Sequence, residues 1–295
     1  MTAITADSRA SVEDGRRSSS PLMVLARVEA RRFALHPLFL ICAGLMVWGA
    51  YQLHADFYGK KELSGLELSL GPAWLMGVGG MIVAYRLTRS TRRADEAVAG
   101  VPSDEPTRTA ALLIACLVPF VVAALAMAQV VVAWHVEPTP WVTGWQHFSS
   151  AERDAMMVAG ALAGLGGPVL GVCLGRWWRW PGAALLATVV LVAWSVLSLF
   201  PFDSKLGNLW HMSAPFVLWI SGTTEDPTHE VLGGSPVWRV GYLLALIGLA
   251  AVTALLHGSS GRTRSALRGW FAGLATAAFV LWLVASLTGP AFTTI

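Results

Sequence analysis

The sequence predicts an all-α polytopic membrane protein with six to seven transmembrane helices, an N-terminal amphipathic elbow helix and an outer re-entrant element. Three observations support this fold class. Charged residues make up only 13% of the 295 residues, hydrophobic residues make up 55% and the mean hydropathy is +0.58, whereas about 25% of a soluble domain is charged. Several uncharged runs are long enough to cross a bilayer, which takes roughly 20 apolar residues. Lysine and arginine are concentrated in alternate connecting segments, which is typical of polytopic proteins.

The first 36 residues precede the first apolar run. Residues 1–20 are polar and rich in Ser, Arg and Asp, which predicts a disordered cytoplasmic tail. Residues 21–36 predict an amphipathic helix in the plane of the lipid headgroups. Its apolar stripe contains Leu22, Leu25, Val28, Phe33 and Leu35, and its polar face contains Arg27, Glu29, Arg31 and Arg32. A basic flank that only stops transfer of the first span is the alternative.

Residues 37–295 are predicted to form the transmembrane domain. Its spans lie approximately at 37–54, 70–87, 109–134, 154–175, 181–201, 238–258 and 269–288. The uncharged runs within the first two spans have only 16 residues each, so their flanks must contribute to the crossing. Seven spans are the preferred count and six is the alternative.

The distribution of basic residues predicts the orientation. With a cytoplasmic N-terminus and seven spans, sixteen of the 21 basic residues lie inside and five lie outside. The sequence therefore predicts a protein of the cytoplasmic membrane with its N-terminus inside and its C-terminus outside. An eighth span at 206–224 would export Arg262, Arg264 and Arg268. This uncharged segment, which contains Asn208 and Pro215, is instead predicted to be an outer re-entrant element.

The segment 86–108 is the longest predicted cytoplasmic connection. Within it, Thr91 can cap a short charged helix that Gly100 and Pro102 end. Such a helix, held between two spans, is a suitable contact for a soluble partner. The alternative is a solvated run of charges that only sets the topology.

The fourth span carries glycines at intervals of four residues. Small residues at this spacing share one helix face and allow a neighbouring backbone to approach closely. Both intrachain helix packing and a subunit interface remain open for these residues, which are Gly160, Gly164, Gly167, Gly171 and Gly175.

The sequence offers no signature of catalysis or cofactor binding. It has no Walker A sequence, so ATP binding by that loop is excluded, and it has no His-Glu-x-x-His or Gly-x-Ser-x-Gly motif. No Asp, Glu, Lys or Arg lies in the middle of a predicted span, which disfavours an ion-coupled transporter. The sequence therefore predicts no catalytic residue, no metal ligand, no cofactor bound by this chain and no nucleic-acid partner.

Three stretches carry a family resemblance. The run from Arg27 to Pro37, with its Glu-x-Arg-Arg and His-Pro pairs, resembles the start of actinobacterial ABC-2-type exporter permeases. The run from Arg92 to Pro102 is similar to that family's coupling-helix region, and Trp210–Phe216 is similar to its extracytoplasmic stretch. The basic family plan has six spans with a cytoplasmic C-terminus, so a seventh run departs from it.

This resemblance implies a set of roles and partners. It assigns Glu29, Arg31 and Arg32 to an elbow helix. It implies that a coupling helix sits on a separate, dimeric ABC ATPase subunit, which holds ATP and Mg²⁺, and that the membrane domain pairs with a second permease copy or a paralogue. The residues that it places in contact with the ATPase are Arg92, Arg93, Asp95, Glu96, Val98 and Val101.

The function expected from these observations is that of the membrane-spanning permease subunit of an ABC exporter that works by alternating access. The alternatives are a non-transport membrane protein, such as a signalling or immunity subunit, and a secondary transporter. A lipid bilayer is the surrounding medium in each case.

Overall fold

The computed structural model describes residues 20–58, 63–64, 71–97, 104–136, 142–143, 148–198, 205–217, 219–221, 230–231, 233–289 and 293–294. Most of these residues are helical. The helices are α1 Pro21–Ala34, α2 Pro37–Tyr58, a π-helix Pro72–Val78, α3 Gly79–Ala97, α4 Glu105–Ala115, α5 Leu117–Val136, α6 Ser150–Trp177, α7 Ala183–Leu197, α8 Lys205–Ser213, α9 Pro236–Leu256 and α10 Gly261–Leu287.

Short strands join some of the connecting segments. The strands are β1 Leu63–Ser64, β2 Val142–Thr143, β3 Ile220–Ser221, β4 Glu230–Val231 and β5 Thr293–Thr294. Strands β1 and β2 pair in parallel, and β4 pairs antiparallel with both β3 and β5. Each strand has two residues, so these pairs connect loops and do not form a separate layer.

Capping residues and prolines set the helix starts. The Ser20 side chain accepts a hydrogen bond from the Met23 N–H, and Pro21 follows as the first residue of α1. The Ser149 hydroxyl and the Glu152 carboxylate form a capping box at the start of α6, which satisfies backbone N–H groups that the helix cannot pair. Pro37 begins α2, which is bent by 66° from α1.

Helix α6 lies at the centre of a helical bundle. It contacts the π-helix, α3, α5 and α9, and α9 also packs along α10. We call one end of the bundle the basic end: there α3, α6 and α9 end, α4, α7 and α10 begin, and Arg86, Arg89 and Arg176 lie. At the opposite end, here the far end, α8 lies next to the end of α7 and the start of α9.

The α6 glycines bring two backbones of the same chain together. A Cβ atom added at Gly167 would lie 2.0 Å from the Gly77 carbonyl oxygen, and one added at Gly171 would lie 2.3 Å from the Met81 carbonyl oxygen. Gly175 faces Thr88 in the same way, and Gly164 faces Ala123 of α5. These four positions are therefore occupied by intrachain contacts, and Gly160 is buried on the same helix.

Four helical stretches are long and apolar enough to cross a membrane, namely Glu105–Val136, Ser150–Trp177, Pro236–Leu256 and Gly261–Leu287. The bent pair formed by α1 and α2 gives a fifth if it counts as one span. Helix α7 is apolar but has 15 residues, which corresponds to about 22 Å and is shorter than the bilayer core of about 30 Å. The described residues thus form an all-helical fold with four to five membrane-compatible helices, whereas the sequence predicts six to seven.

The segment predicted as a connecting loop is partly helical. Helix α3 continues without a break through Arg86 to Ala97, and α4 starts at Glu105. A separate short helix capped by Thr91 is therefore wrong, because the backbone there already belongs to α3. Residues 98–103 lie outside the described part of the chain.

The faces of α1 also differ from the prediction. Glu29 is buried together with Ala26 and Phe33, whereas Val28 and Leu35 of the predicted apolar stripe are exposed. The difference arises from tertiary packing, because α1 packs against α4 and α3 of the bundle. The charge of the buried Glu29 is balanced by an ion pair with Arg32. The predicted tail at residues 1–20 lies outside the described residues except for Ser20.

Candidate functional site

An apolar cavity of about 250 Å³ lies between α3, α6, α7 and α9. Its walls are hydrocarbon, and none of its lining residues is charged. The large side chains on its wall include Leu170 on α6, Leu191 on α7 and Ile247 on α9. Such a cavity can hold an apolar group but offers little to stabilise a bare ion.

Part of the cavity volume exists because three glycines on its wall have no side chain. Gly77 of the π-helix and Gly166 and Gly167 of α6 all line the cavity. Gly77 and Gly167 face each other so closely that a side chain on Gly167 would meet the Gly77 backbone. The wide turns of a π-helix are frequent at functional sites, and here they place Gly77 at the cavity wall.

The segment that follows α8 closes the cavity towards the far end. Pro215 and Phe216 line both this cavity and a smaller one of about 30 Å³. The Phe216 ring stacks on Trp74 of the π-helix, with ring centroids 5.7 Å apart. The smaller cavity is also lined by Trp219 and Arg239, so a cation lies close to the closed end.

Arg239 holds this segment in place. Its side chain is buried, and its Nη1 donates to the Met212 carbonyl at 2.8 Å while its Nη2 donates to the Ala214 and Pro215 carbonyls at 2.7 and 3.2 Å. The planar guanidinium can satisfy several carbonyls at once because its donors form a rigid fork. These carbonyls lie at and just beyond the end of α8, where helical acceptors have no intrahelical partner.

A second polar cluster lies at the basic end. The Glu105 carboxylate of α4 accepts from Arg176 Nη1 of α6 at 3.3 Å, and its Oε1 lies 2.8 Å from His257 Nδ1, just after α9. Arg176 is 1% exposed, whereas the Glu105 side chain is 39% exposed. Trp177 packs edge-on against the His257 ring and donates to the Thr253 carbonyl. This cluster joins the ends of three helices.

A third set of contacts connects α1 to the bundle. Arg32 forms an ion pair with the buried Glu29 at 2.9 Å and also donates to the Ser90 hydroxyl of α3 at 2.9 Å. Phe33 of α1 is buried and contacts Phe39 of α2 edge-on. The elbow predicted from Glu29 and Arg32 is thus a packed part of the bundle, whereas Arg31 is exposed.

The other predicted site residues are spread over α3 and α6. The backbone of Arg92, Arg93, Asp95 and Glu96 belongs to the last turns of α3, while Val98 and Val101 lie outside the described residues. Four of the predicted glycines of α6 face neighbouring helices, and of these Gly167 lines the cavity.

Sequence reasoning missed the two clusters at the helix ends. Arg239 is one of the five basic residues that the sequence predicts outside, although a single arginine four residues into an apolar run is a signal of burial. Arg176 directly follows Gly175 of the glycine stripe, so the face of α6 on which it lies could be predicted from the sequence. The partners Glu105 and His257 are 152 residues apart, and their contact depends on the packing of α4 against α9.

We expect Glu105→Gln to weaken the basic-end cluster. The free energy of unfolding should fall by about 1–2 kcal/mol, because Arg176 is buried while the exposure of Glu105 reduces the strength of the pair. A thermal melt of the purified chain in detergent measures the change. Asp104→Asn is the matched control, since the neighbouring Asp104 makes no side-chain capping hydrogen bond. Equal effects of the two variants would contradict a specific role for Glu105.

In the described part of the chain, no group of three His, Cys, Asp or Glu side chains is arranged to hold a metal ion. Cys42, Cys116 and Cys173 are free thiols. Comparison with protein-family models, with curated proteins and with solved structures found no match for this chain.

Proposed function

We propose that this chain is the membrane subunit of an ABC exporter, and that its substrate passes through the apolar cavity between α3, α6, α7 and α9. The observation that carries the proposal is the position of this cavity. It lies among packed helices whose ends are fastened by polar contacts, by Arg239 at the far end and by Glu105 at the basic end. Opening one set of contacts while the other holds is what alternating access requires.

The energy source in this proposal is a separate ATPase subunit with its own ATP and Mg²⁺. The chain has no Walker A loop, so a partner must supply the hydrolysis. The last turns of α3 are the proposed docking site, because α3 ends at the basic end and contacts the α1 elbow. A second copy of the chain, or a paralogue, completes the membrane domain.

We further propose seven spans, with the basic end in the cytoplasm. The basic end carries Arg86, Arg89 and Arg176, which fits the tendency of arginine to remain inside. The helices alternate in direction between the two ends, and α8 stays at the far end next to Leu197 and Arg239. This placement supports an element that enters the outer leaflet without crossing.

The test of the proposed function uses substitutions near the end of α3. Asp95→Lys with Glu96→Lys, or Ala97→Pro alone, should abolish co-purification of an ATPase from native membranes and the ATP hydrolysis that accompanies it. The physical reason is that an unpaired charge at an interface costs several kcal/mol, whereas a solvated helix end tolerates such changes within about 0.5 kcal/mol.

The control for this test is Asp154→Lys. Asp154 lies near the start of α6 at the far end, so its reversal alters the charge of the chain without touching the proposed docking site. Folding of each variant is checked by its thermal melt. Full ATPase association in well-folded α3 variants would overturn the docking site. If no ATPase associates with the unmodified chain, the exporter proposal fails and a signalling or immunity subunit becomes the better explanation.

A further inference from the structure

An open pocket of about 540 Å³ lies at the basic end between α3 and the start of α7. The residues of its wall form two chemically different parts. Ile82 of α3 and Ala184 and Leu185 of α7 form an apolar part, whereas Arg86 and Arg89 of α3 form a cationic part. The two parts follow one another along α3, so the pocket is apolar towards the middle of the bundle and basic towards its end.

The cationic part is not neutralised within the described part of the chain. The ion pairs found there use Glu29, Glu105 and Asp154, and none of them includes Arg86 or Arg89. Arg32 reaches the rim through its hydrogen bond to the Ser90 hydroxyl, but its charge is balanced by Glu29. Burial and the positive charge of Arg86 also hold the pKa of His36 below its ordinary value, so this nearby imidazole is neutral near pH 7 and adds no charge to the pocket.

Arg89 is oriented by a buried tyrosine. Its Nη1 donates to the Tyr85 hydroxyl oxygen at 3.3 Å, and its guanidinium lies 5.7 Å from the centre of the Tyr85 ring. Tyr85 is 3% exposed, and its hydroxyl donates to the Trp180 carbonyl. The arginine head is therefore positioned by contacts that connect α3 to the α6–α7 connection.

Tryptophans indicate the depth of the pocket in a membrane. Trp177, Trp178 and Trp180 follow one another at the end of α6, and each is about half exposed. Tryptophan is enriched where the hydrocarbon of a bilayer meets the headgroups. The Trp180 carbonyl is the acceptor for Tyr85, so the pocket lies at this boundary.

We propose that this pocket binds an anionic phospholipid from the leaflet at the basic end. The lipid phosphate lies between Arg86 and Arg89, and an acyl chain extends along Ile82 and Leu185. Basic pockets between transmembrane helices bind acidic lipid headgroups by this combination of charge and apolar contact. The proposal requires only that the apolar helices lie in a membrane, and it is independent of the exporter function.

The test uses the purified full-length chain in lipid nanodiscs of phosphatidylcholine with a minor fraction of phosphatidylglycerol. Native mass spectrometry measures which lipid remains bound after release into detergent. We expect phosphatidylglycerol to be retained well above its share of the mixture. Arg86→Gln with Arg89→Gln should lower its apparent affinity by roughly thirtyfold, since each basic residue near a lipid phosphate contributes about fivefold.

Two exposed arginines provide the matched control. Arg262→Gln with Arg264→Gln removes the same charge from the first turns of α10 at the same end, outside the pocket, and should leave retention within about twofold. Equal losses in both double variants would mean diffuse electrostatic attraction and would overturn the pocket. Displacement of phosphatidylglycerol by millimolar inorganic phosphate would mean a soluble-anion site and would overturn the lipid.

Tyr85→Phe tests the positioning role. It removes the hydroxyl that accepts from Arg89, so phosphatidylglycerol retention should fall several-fold in the native background. In a chain that already carries Arg89→Gln, the same change should have no further effect on retention. An additive loss would show that Tyr85 acts through general stability and not through Arg89.

Discussion

Gly171→Ala should destabilise the bundle more than any other single-methyl change in α6 outside the cavity wall. The new Cβ would lie 2.3 Å from the Met81 carbonyl oxygen and 3.0 Å from the Met81 carbonyl carbon. Both are backbone atoms, so α3 and α6 must separate. We expect a loss of about 2–3 kcal/mol, because overpacking of this kind outweighs the gain of up to about 1 kcal/mol in helix propensity.

The measurement is the thermal midpoint of the detergent-purified chain, which should fall by roughly 5–10 °C. Gly273→Ala is the matched control, since Gly273 lies in α10 and an added Cβ there has no atom within 4 Å. Its midpoint should stay the same or rise slightly. If both variants have the same thermal midpoint, the absence of a side chain at Gly171 is not required for the close approach of α3 and α6. Loss of a dimer with an unchanged midpoint would instead assign Gly171 to a subunit interface.

Arg239→Met should release the segment that closes the far end of the cavity. The Met212, Ala214 and Pro215 carbonyls would lose their common donor, and a buried acceptor without a partner costs about 1–3 kcal/mol. Removing the buried charge offsets part of this cost. We expect a net loss of about 3 kcal/mol, confined mainly to residues 205–217.

Hydrogen exchange followed by mass spectrometry measures this local loss. Amides in residues 207–217 should exchange about a hundredfold faster, which corresponds to about 3 kcal/mol, while α6 keeps its protection. Arg239→Lys should lie in between, because an ammonium is a point charge without the guanidinium fork. Arg268→Met, on the exposed surface of α10, is the control. If the amides of residues 207–217 exchange in the Arg239→Lys variant at the rate of the unmodified chain, a positive charge alone is sufficient to hold the segment.

The helical fold and most element positions could be predicted from composition and hydropathy, because those signals are local. Each predicted span contains a described helix. The helix of the second predicted span continues beyond it to Ala97, because charged residues continue a helix readily when it leaves the apolar region. The faces of α1 were predicted as if it packed only on lipid, and its burial against α3 and α4 placed Glu29 inside.

The candidate site was predictable only where one stretch of sequence carries it. The glycine stripe on α6 was found because its period is written in the sequence, but its partner Gly77 lies in an unusual π-helix that no periodicity indicates. The Arg239 and Glu105 clusters depend on contacts between distant helices. The sequence marks Arg176 and Arg239 by their places beside the glycine stripe and inside an apolar run, but it does not indicate which distant residues they contact.

Both ends of helix α9 make polar contacts with other parts of the bundle. Arg239, its fourth residue, is bound to the segment after α8, and His257, which directly follows it, is bound to Glu105. Its 21 residues form a rod of about 31 Å, and Ile247 lies near its middle at the cavity wall. Because α9 is one continuous helix, it connects the basic-end cluster directly to the segment after α8. We therefore expect a displacement of His257 along the helix axis to change the contacts of Arg239.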